Sequence, residues 1–119
     1  CLDSARYGIA WGAIGAAMDC YDTALRYAKE RIQFGKPIAG YQLQQKKLAE
    51  MITEITKAQL LALRLGQLKN EGKASTAQIS MAKRNNVEMA IHIARESRQI
   101  LGGLGITGEY SITRHMLNI

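Results

Sequence analysis

Three stripes of small and aliphatic residues, each recurring every three or four positions, constrain this chain more than any other feature. Ala10, Ile14, Ala17, Tyr21, Ala24 and Ala28 make the first; Met51, Ile55, Ala58, Ala62 and Leu65 the second; Ile79, Ala82, Met89, Ile93 and Ile100 the third. That spacing lines up one side of an α-helix, so each stripe predicts a helix with a single face to bury. Gly35, Pro37 and Gly40 separate the first two stripes, and Pro37 disfavours helix at Lys36. Gly72 stops the second, and Gly102, Gly103 and Gly105 stop the third. The predicted helices cover about 4–32, with Asp3 or Ser4 as N-cap, about 41–71, and a third opening at Ser75 or Thr76. A short fourth is expected near Tyr110. Gly8, Gly12 and Gly15 weaken the first helix and read as places where a neighbouring backbone packs closely.

Three long helices on short turns have no slack to do anything but pack antiparallel. The expected fold is all-α, an up-and-down antiparallel helical bundle forming one domain over 1–119, with its last helix missing. Composition agrees: one Pro and 6% aromatic residues favour helix over sheet, and 47% hydrophobic residues across 119 positions can build one core. Cys1 and Cys20 fall about 25 Å apart along the first helix, too far to bridge, which suits a reducing compartment. The most apolar run, 7–18, is shorter than the about 20 residues a membrane span needs. The start has no targeting-peptide pattern, and the chain reads as a piece of something longer.

Sixteen basic against ten acidic residues give a net charge of +6 and point to a polyanionic or phosphorylated ligand. Lys46, Lys47, Lys83 and Arg84 have no aromatic interleaving or nucleic-acid motif around them, so they read as solvated helix faces and no nucleic-acid partner is expected. Gly103, Gly105 and Gly108 spell G-x-G-x-x-G. A dinucleotide fingerprint needs a strand before it, and here a helix precedes. Glu88, His92 and Glu96 share a helix face at metal-ligand spacing, but no partner cluster exists elsewhere, so no metal is expected. No Ser-His-Asp or Cys-His set is evident. The turn from Arg31 to Lys36 stands out: two cations, an amide and Phe34 sit at a helix end, where Arg can grip pyrophosphate oxygens. The alternative is that Arg31 and Lys36 merely complement the helix dipole while Phe34 plugs the bundle end.

Arg6-Tyr-Gly-Ile, the run from Tyr27 to Ile38 with its R-x-x-F-G, the segment from Gln42 to Met51, and Gln99-Ile-Leu-Gly-Gly-Leu-Gly-Ile106 together resemble the C-terminal helical domain of acyl-CoA dehydrogenases, over the whole chain. Residues 5–12, Lys83-Arg-Asn-Asn86 and Arg114-His-Met116 are most similar to its glutaryl-CoA dehydrogenase members. The sequence departs from the family pattern at Leu104, where Asn is usual, and at Gly108, where many members carry an acid.

The resemblance implies a fragment of a larger flavoenzyme subunit that assembles as a homodimer or homotetramer, with FAD across the dimer interface. It implies that Arg31, Gln33, Phe34 and Gln42 contact the adenosine diphosphate half of FAD. Gln99, Ile100, Leu101, Gly102 and Gly103 reach the cofactor of a neighbouring subunit. Leu2, Asp3, Ser4, Ala5 and Arg6 match the segment that meets the acyl-CoA substrate, here expected to be glutaryl-CoA. The implied reaction is α,β-dehydrogenation with decarboxylation to crotonyl-CoA, electrons passing to an electron-transfer flavoprotein, in a bacterial cytoplasm or a mitochondrial matrix. Its catalytic glutamate is expected beyond Ile119. None of Glu88, Glu96 and Glu109 matches it, so no catalytic residue is assigned and the fragment alone is expected to be inactive.

Overall fold

The computed structural model describes residues 2–33 and 35–102, with every side chain among them except that of Gln33. Three long helices carry the fold: α1 (Leu2–Glu30), α2 (Gln42–Asn70) and α3 (Thr76–Leu101). The three stripes all turn inward, with every member buried except the half-buried Tyr21. Met51, Ile55, Ile93 and Leu101 are the largest apolar side chains fully shielded from water. Each contributes about 1.5–3 kcal/mol by leaving it.

α1 and α3 are the most extensively packed pair, and α2 lies antiparallel against both. The reason is side-chain size. The buried face of α1 is Ala10, Ala13, Ala17, Ala24 and Ala28 with few larger residues, and that of α3 includes Ala82, Ala90, Ala94 and Ser97. Small side chains let two backbones approach closely. The pair runs parallel, shown by rungs that climb together: Asp3 with Thr76, Arg6 with Ser80, Ala10 with Asn86. Asn86, fully buried, donates from Nδ2 to the Ala10 carbonyl at 3.2 Å and accepts from Asn85 at 3.0 Å. Both ends of its amide are thereby satisfied.

The helix ends show where local chemistry decided the outcome. Ser75 caps α3 in a reciprocal box with Gln78: the Gln78 amide donates to the Ser75 hydroxyl at 3.1 Å, and the Ser75 amide to the Gln78 side chain at 3.0 Å. Gly72 takes φ +71° beyond the end of α2, where only glycine is unstrained. Asp3 is not the cap of α1 and neither is Ser4, because the helix already begins at Leu2; Asp3 sits in its first turn, favourable to the helix dipole. The turn after α1 is more ordered than expected. Ile32–Gln33 and Lys36–Pro37 pair as a minimal antiparallel hairpin, pinned by Ile38 donating to the Arg31 carbonyl at 2.9 Å, and a short 3₁₀ turn over Ile38–Gly40 leads into α2. The expected helix near Tyr110 lies outside the described residues.

The glycine reading is corrected. A Cβ placed at Gly8, Gly12 or Gly15 meets nothing within 4 Å, so these glycines face open space within this chain. The close approach is at Gly66, where an added Cβ would collide with the Tyr7 hydroxyl. Tyr7 is held in place: its hydroxyl donates to the Ala62 carbonyl at 3.1 Å, and the Lys69 ammonium sits 4.9 Å from its ring centre. Gly12→Ala should therefore stabilise the chain by about 0.5–1 kcal/mol through helix propensity. Gly66→Ala should destabilise it by about 1–3 kcal/mol through overpacking, with much of the loss recovered in a Tyr7→Phe background. Urea denaturation midpoints of the parent, the two glycine variants, Tyr7→Phe and the Tyr7→Phe/Gly66→Ala double variant check the opposite signs.

Cys20 is buried in the α1 face, and desolvation, reinforced by the Asp19 charge, pushes its thiol from 9.0 up to about 12. Because the folded state holds this proton more tightly than the unfolded chain, its contribution is whole below about pH 9 and disappears as the pH rises towards 12. In a Cys1→Ser background, native Cys20 should resist thiol-specific alkylation at pH 8 and react once unfolded in urea. Between pH 9 and 12 the Cys20→Ala variant should lose less stability than its parent.

Candidate functional site

The candidate residues divide between the two ends of α1. At its start, Leu2, Ser4 and Ala5 are exposed, and Asp3 and Arg6 are half-buried because α3 grips them. Thr76 donates its hydroxyl to Asp3 Oδ2 at 2.9 Å, Arg6 Nη1 donates to Ser80 Oγ at 3.2 Å, and Arg6 and Asp3 are 3.9 Å apart. The capping box that begins α3 at Thr76 is what places Thr76 and Ser80 on these rungs.

At the other end stand the hairpin, the start of α2 and the end of α3. Arg31 and Gln42 are exposed, and Lys36 lies over the Tyr41 ring with its ammonium 4.2 Å from the centre. Gln99 is exposed and its side-chain oxygen accepts from Lys47 Nζ at 3.4 Å; Lys47 also faces Glu96 at 3.9 Å. Ile100 and Leu101 bury their side chains in the core, so they anchor the end of α3, and Gly102 turns the chain at φ +61°. Phe34 and Gly103 lie outside the described residues, as do Gly105 and Gly108, and of Gln33 only the backbone, paired in the hairpin, is placed.

The donors at this end suit a pyrophosphate-bearing ligand such as FAD. Between Arg31 and Gln45 the chain has no acid at all, and Arg31 forms no ion pair among the described residues. The guanidinium and the exposed amides of Gln42 and Gln99 are thus free to donate to oxyanions.

Two sets of residues have surroundings that helix periodicity does not show. Glu88, His92 and Glu96 do share one side of α3, and with Lys47, Glu50 and Glu54 they line a groove of about 530 Å³ against α2. Among the described residues no three His, Cys, Asp or Glu side chains converge as a metal site would require. Lys47 and Lys83, expected on solvated faces, are half-buried. Sequence periodicity locates a helix face but not the groove it borders. No helix among the described residues is long and apolar enough to cross a membrane.

Residues 1–119 match the family model described as "Acyl-CoA dehydrogenase, C-terminal domain" from end to end. The chain belongs to the acyl-CoA dehydrogenase family. Among relatives of this family, the short-chain-specific acyl-CoA dehydrogenase of Megasphaera elsdenii is 39% identical over 115 residues, covering 97% of this chain and 30% of that protein. The CarC subunit of the caffeyl-CoA reductase–Etf complex of Acetobacterium woodii is 40% identical, covering 95% of this chain and 30% of the relative. Two crystal structures of glutaryl-CoA dehydrogenase from Mycobacterium smegmatis superpose closely. One is 54% identical with a TM-score of 0.95, covering 98% of this chain and 30% of that one. The other, in complex with FADH2, is 51% identical with a TM-score of 0.96, covering 99% and 31%. The chain thus spans about 30% of the length of the acyl-CoA dehydrogenases it matches.

The Arg31 side chain, exposed and without an ion pair or hydrogen bond among the described residues, has no part in holding the bundle together; only its backbone is bonded. Arg31→Gln should therefore change the stability of this domain by no more than about 0.5 kcal/mol. Thermal melts of the variant and its parent check this and separate a binding role from a folding one.

Proposed function

We propose that this chain is the cofactor- and substrate-contacting, oligomerising domain of an FAD-dependent acyl-CoA dehydrogenase of the glutaryl-CoA type. The observation that carries the reading is the separation of the two candidate regions. Arg6 and Arg31 lie 25 residues apart along α1 and its end, roughly 35–40 Å at the helical rise. One chain's two ends cannot meet in one active site. A flavin touched by Arg31 and Gln99 is then completed by the substrate end of another subunit, which is why the domain works only in a homodimer or homotetramer.

In this arrangement Arg31, with Gln33, Phe34 and Gln42, binds the adenosine diphosphate half of FAD. Gln99 to Gly103 reach a neighbouring subunit's cofactor, the buried Ile100 and Leu101 anchoring the end of α3 in the core. Asp3 and Arg6, fixed by Thr76 and Ser80, orient the acyl-CoA at the start of α1. When bound, FAD supplies a hydride acceptor for the β-carbon of the thioester. A glutamate outside this chain removes the α-proton. With glutaryl-CoA, loss of carbon dioxide then gives crotonyl-CoA.

The glutaryl assignment is supported by the 54% and 51% identity to the two Mycobacterium smegmatis glutaryl-CoA dehydrogenase structures against 39% to a butyryl-CoA dehydrogenase structure; among sequence relatives, the glutaryl-CoA dehydrogenase of Desulfococcus multivorans at 37% and the short-chain enzyme at 39% do not separate. An electron-transfer flavoprotein as acceptor is supported by the relative named as part of an Etf complex. A bacterial cytoplasm or a mitochondrial matrix would suit both, the bovine short-chain relative being mitochondrial by name.

Anaerobic titration of the flavoprotein that carries this domain with glutaryl-CoA should bleach the flavin and yield crotonyl-CoA and carbon dioxide. Bleaching without carbon dioxide would leave dehydrogenation and remove decarboxylation. Bleaching with butyryl-CoA alone would move the substrate to a short acyl chain, and no bleaching with either would favour a helical interaction module that has lost catalysis.

A further inference from the structure

Between α1 and α3, with no residue of α2 in its lining, lies a pocket of about 450 Å³ bordered by Arg6, Ser80, Lys83, Arg84, Val87 and Glu88. Its charge is one-sided: three cations face one carboxylate. That carboxylate is occupied, since Glu88 pairs with Arg84 at 3.5 Å on the exposed rim. The inner two cations are poorly compensated. Arg6 has only Asp3 at 3.9 Å, and Asp3 already accepts the Thr76 hydroxyl. Half-buried Lys83 forms no ion pair or hydrogen bond among the described residues. Partial burial raises the cost of leaving a cation unneutralised, and an oxyanion placed between the two would remove that cost. Ser80 adds a hydroxyl that already accepts from Arg6 and can donate its own proton to such a ligand.

The contrast with the α2–α3 groove is informative. There Glu50, Glu54, Glu88 and Glu96 outnumber Lys47, so the two concave surfaces of the bundle have opposite sign. Glu88 borders both surfaces, but Glu50, Glu54 and Glu96 line only the α2–α3 groove, and Arg6, Lys83 and Arg84 line only the pocket between α1 and α3.

We propose that Arg6, Ser80 and Lys83 form a phosphate-binding subsite for the coenzyme A portion of the acyl-CoA ligand, with Arg84 as its outer rim. One unpaired cation, Lys83, beside Arg6, whose 3.9 Å pairing with Asp3 leaves it partly compensated, matches a phosphate better than a single carboxylate. Ser80 and Lys83 thereby join the ligand site from α3, one and two turns into that helix. Naming coenzyme A as the carrier rests on the function proposed above; the affinity of the pocket for phosphate does not.

The test is residue-resolved NMR titration of the full 119-residue chain at constant ionic strength, using inorganic pyrophosphate, coenzyme A and 3′-dephospho-coenzyme A as separate probes. Coenzyme A should shift the Ser80, Lys83 and Arg84 amides saturably. Lys83→Gln should weaken binding about tenfold, as expected for losing a charge-assisted contact. Ser80→Ala should weaken it less, and Lys57→Gln, which removes the same charge from α2, should leave it unchanged. A weaker 3′-dephospho-coenzyme A would identify the 3′-phosphate as the bound group, and equal affinity would identify the pyrophosphate. Shifts with pyrophosphate but none with coenzyme A would overturn the coenzyme A assignment while sparing an oxyanion pocket. No shift with any probe, or equal weakening by Lys57→Gln, would overturn the subsite itself.

Discussion

The close parallel packing of α1 on α3 is the constraint on which the rest of this structure depends. It is possible because the facing residues are small, and it is held in register by Asn86, whose buried amide reaches the Ala10 carbonyl in the first third of α1. An aliphatic side chain at position 86 could fill the space but could not choose one axial offset over another. Directional bonding does so, because a buried amide left without its partner is costly. The same offset brings Thr76 to Asp3 and Ser80 to Arg6. Core packing and the shape of the candidate substrate end are consequently one problem.

α2 plays a different part. It covers one side of the α1–α3 pair with the larger side chains Leu48, Met51, Ile55 and Leu65, and it closes both ends. At one end Gly66 leaves room for Tyr7, and at the other Lys47 reaches across to Gln99 and Glu96 on α3. The hairpin between α1 and α2 then emerges at the same end as Gln99. Placing two separate parts of the chain beside each other in this way gives the Arg31 turn a structural setting: its donors stand next to those of α3, with no acid in the connecting segment.

How much of this was legible beforehand varies with the physics of each feature. The helices and their inward faces follow from periodicity, since burying a continuous apolar stripe has only one helical solution; all but one of the stripe residues are buried. The start of α3 was legible in Ser75 because capping is local. The three glycines of α1 misled because a missing Cβ says that close packing is permitted, not that a neighbour is there. Gly66 drew no notice, since its partner Tyr7 is distant in sequence. Asn86 was quoted only as part of a family motif, and its role in setting the helix register needs the two helices side by side.

The sequence alone determined the all-α class, the three helical segments, the glycine and serine boundaries, and the family. These depend on local periodicity, local hydrogen bonding and ordered motif residues, all of which are written along the chain. The tertiary structure decided the parallel pairing of α1 with α3, the opposite charge of the two grooves beside α3, and the placing of Gln99 at the same end of the molecule as the Arg31 turn. Each of these is a relation between residues tens of positions apart, and it exists only once the small faces of α1 and α3 have met and Asn86 has fixed their offset.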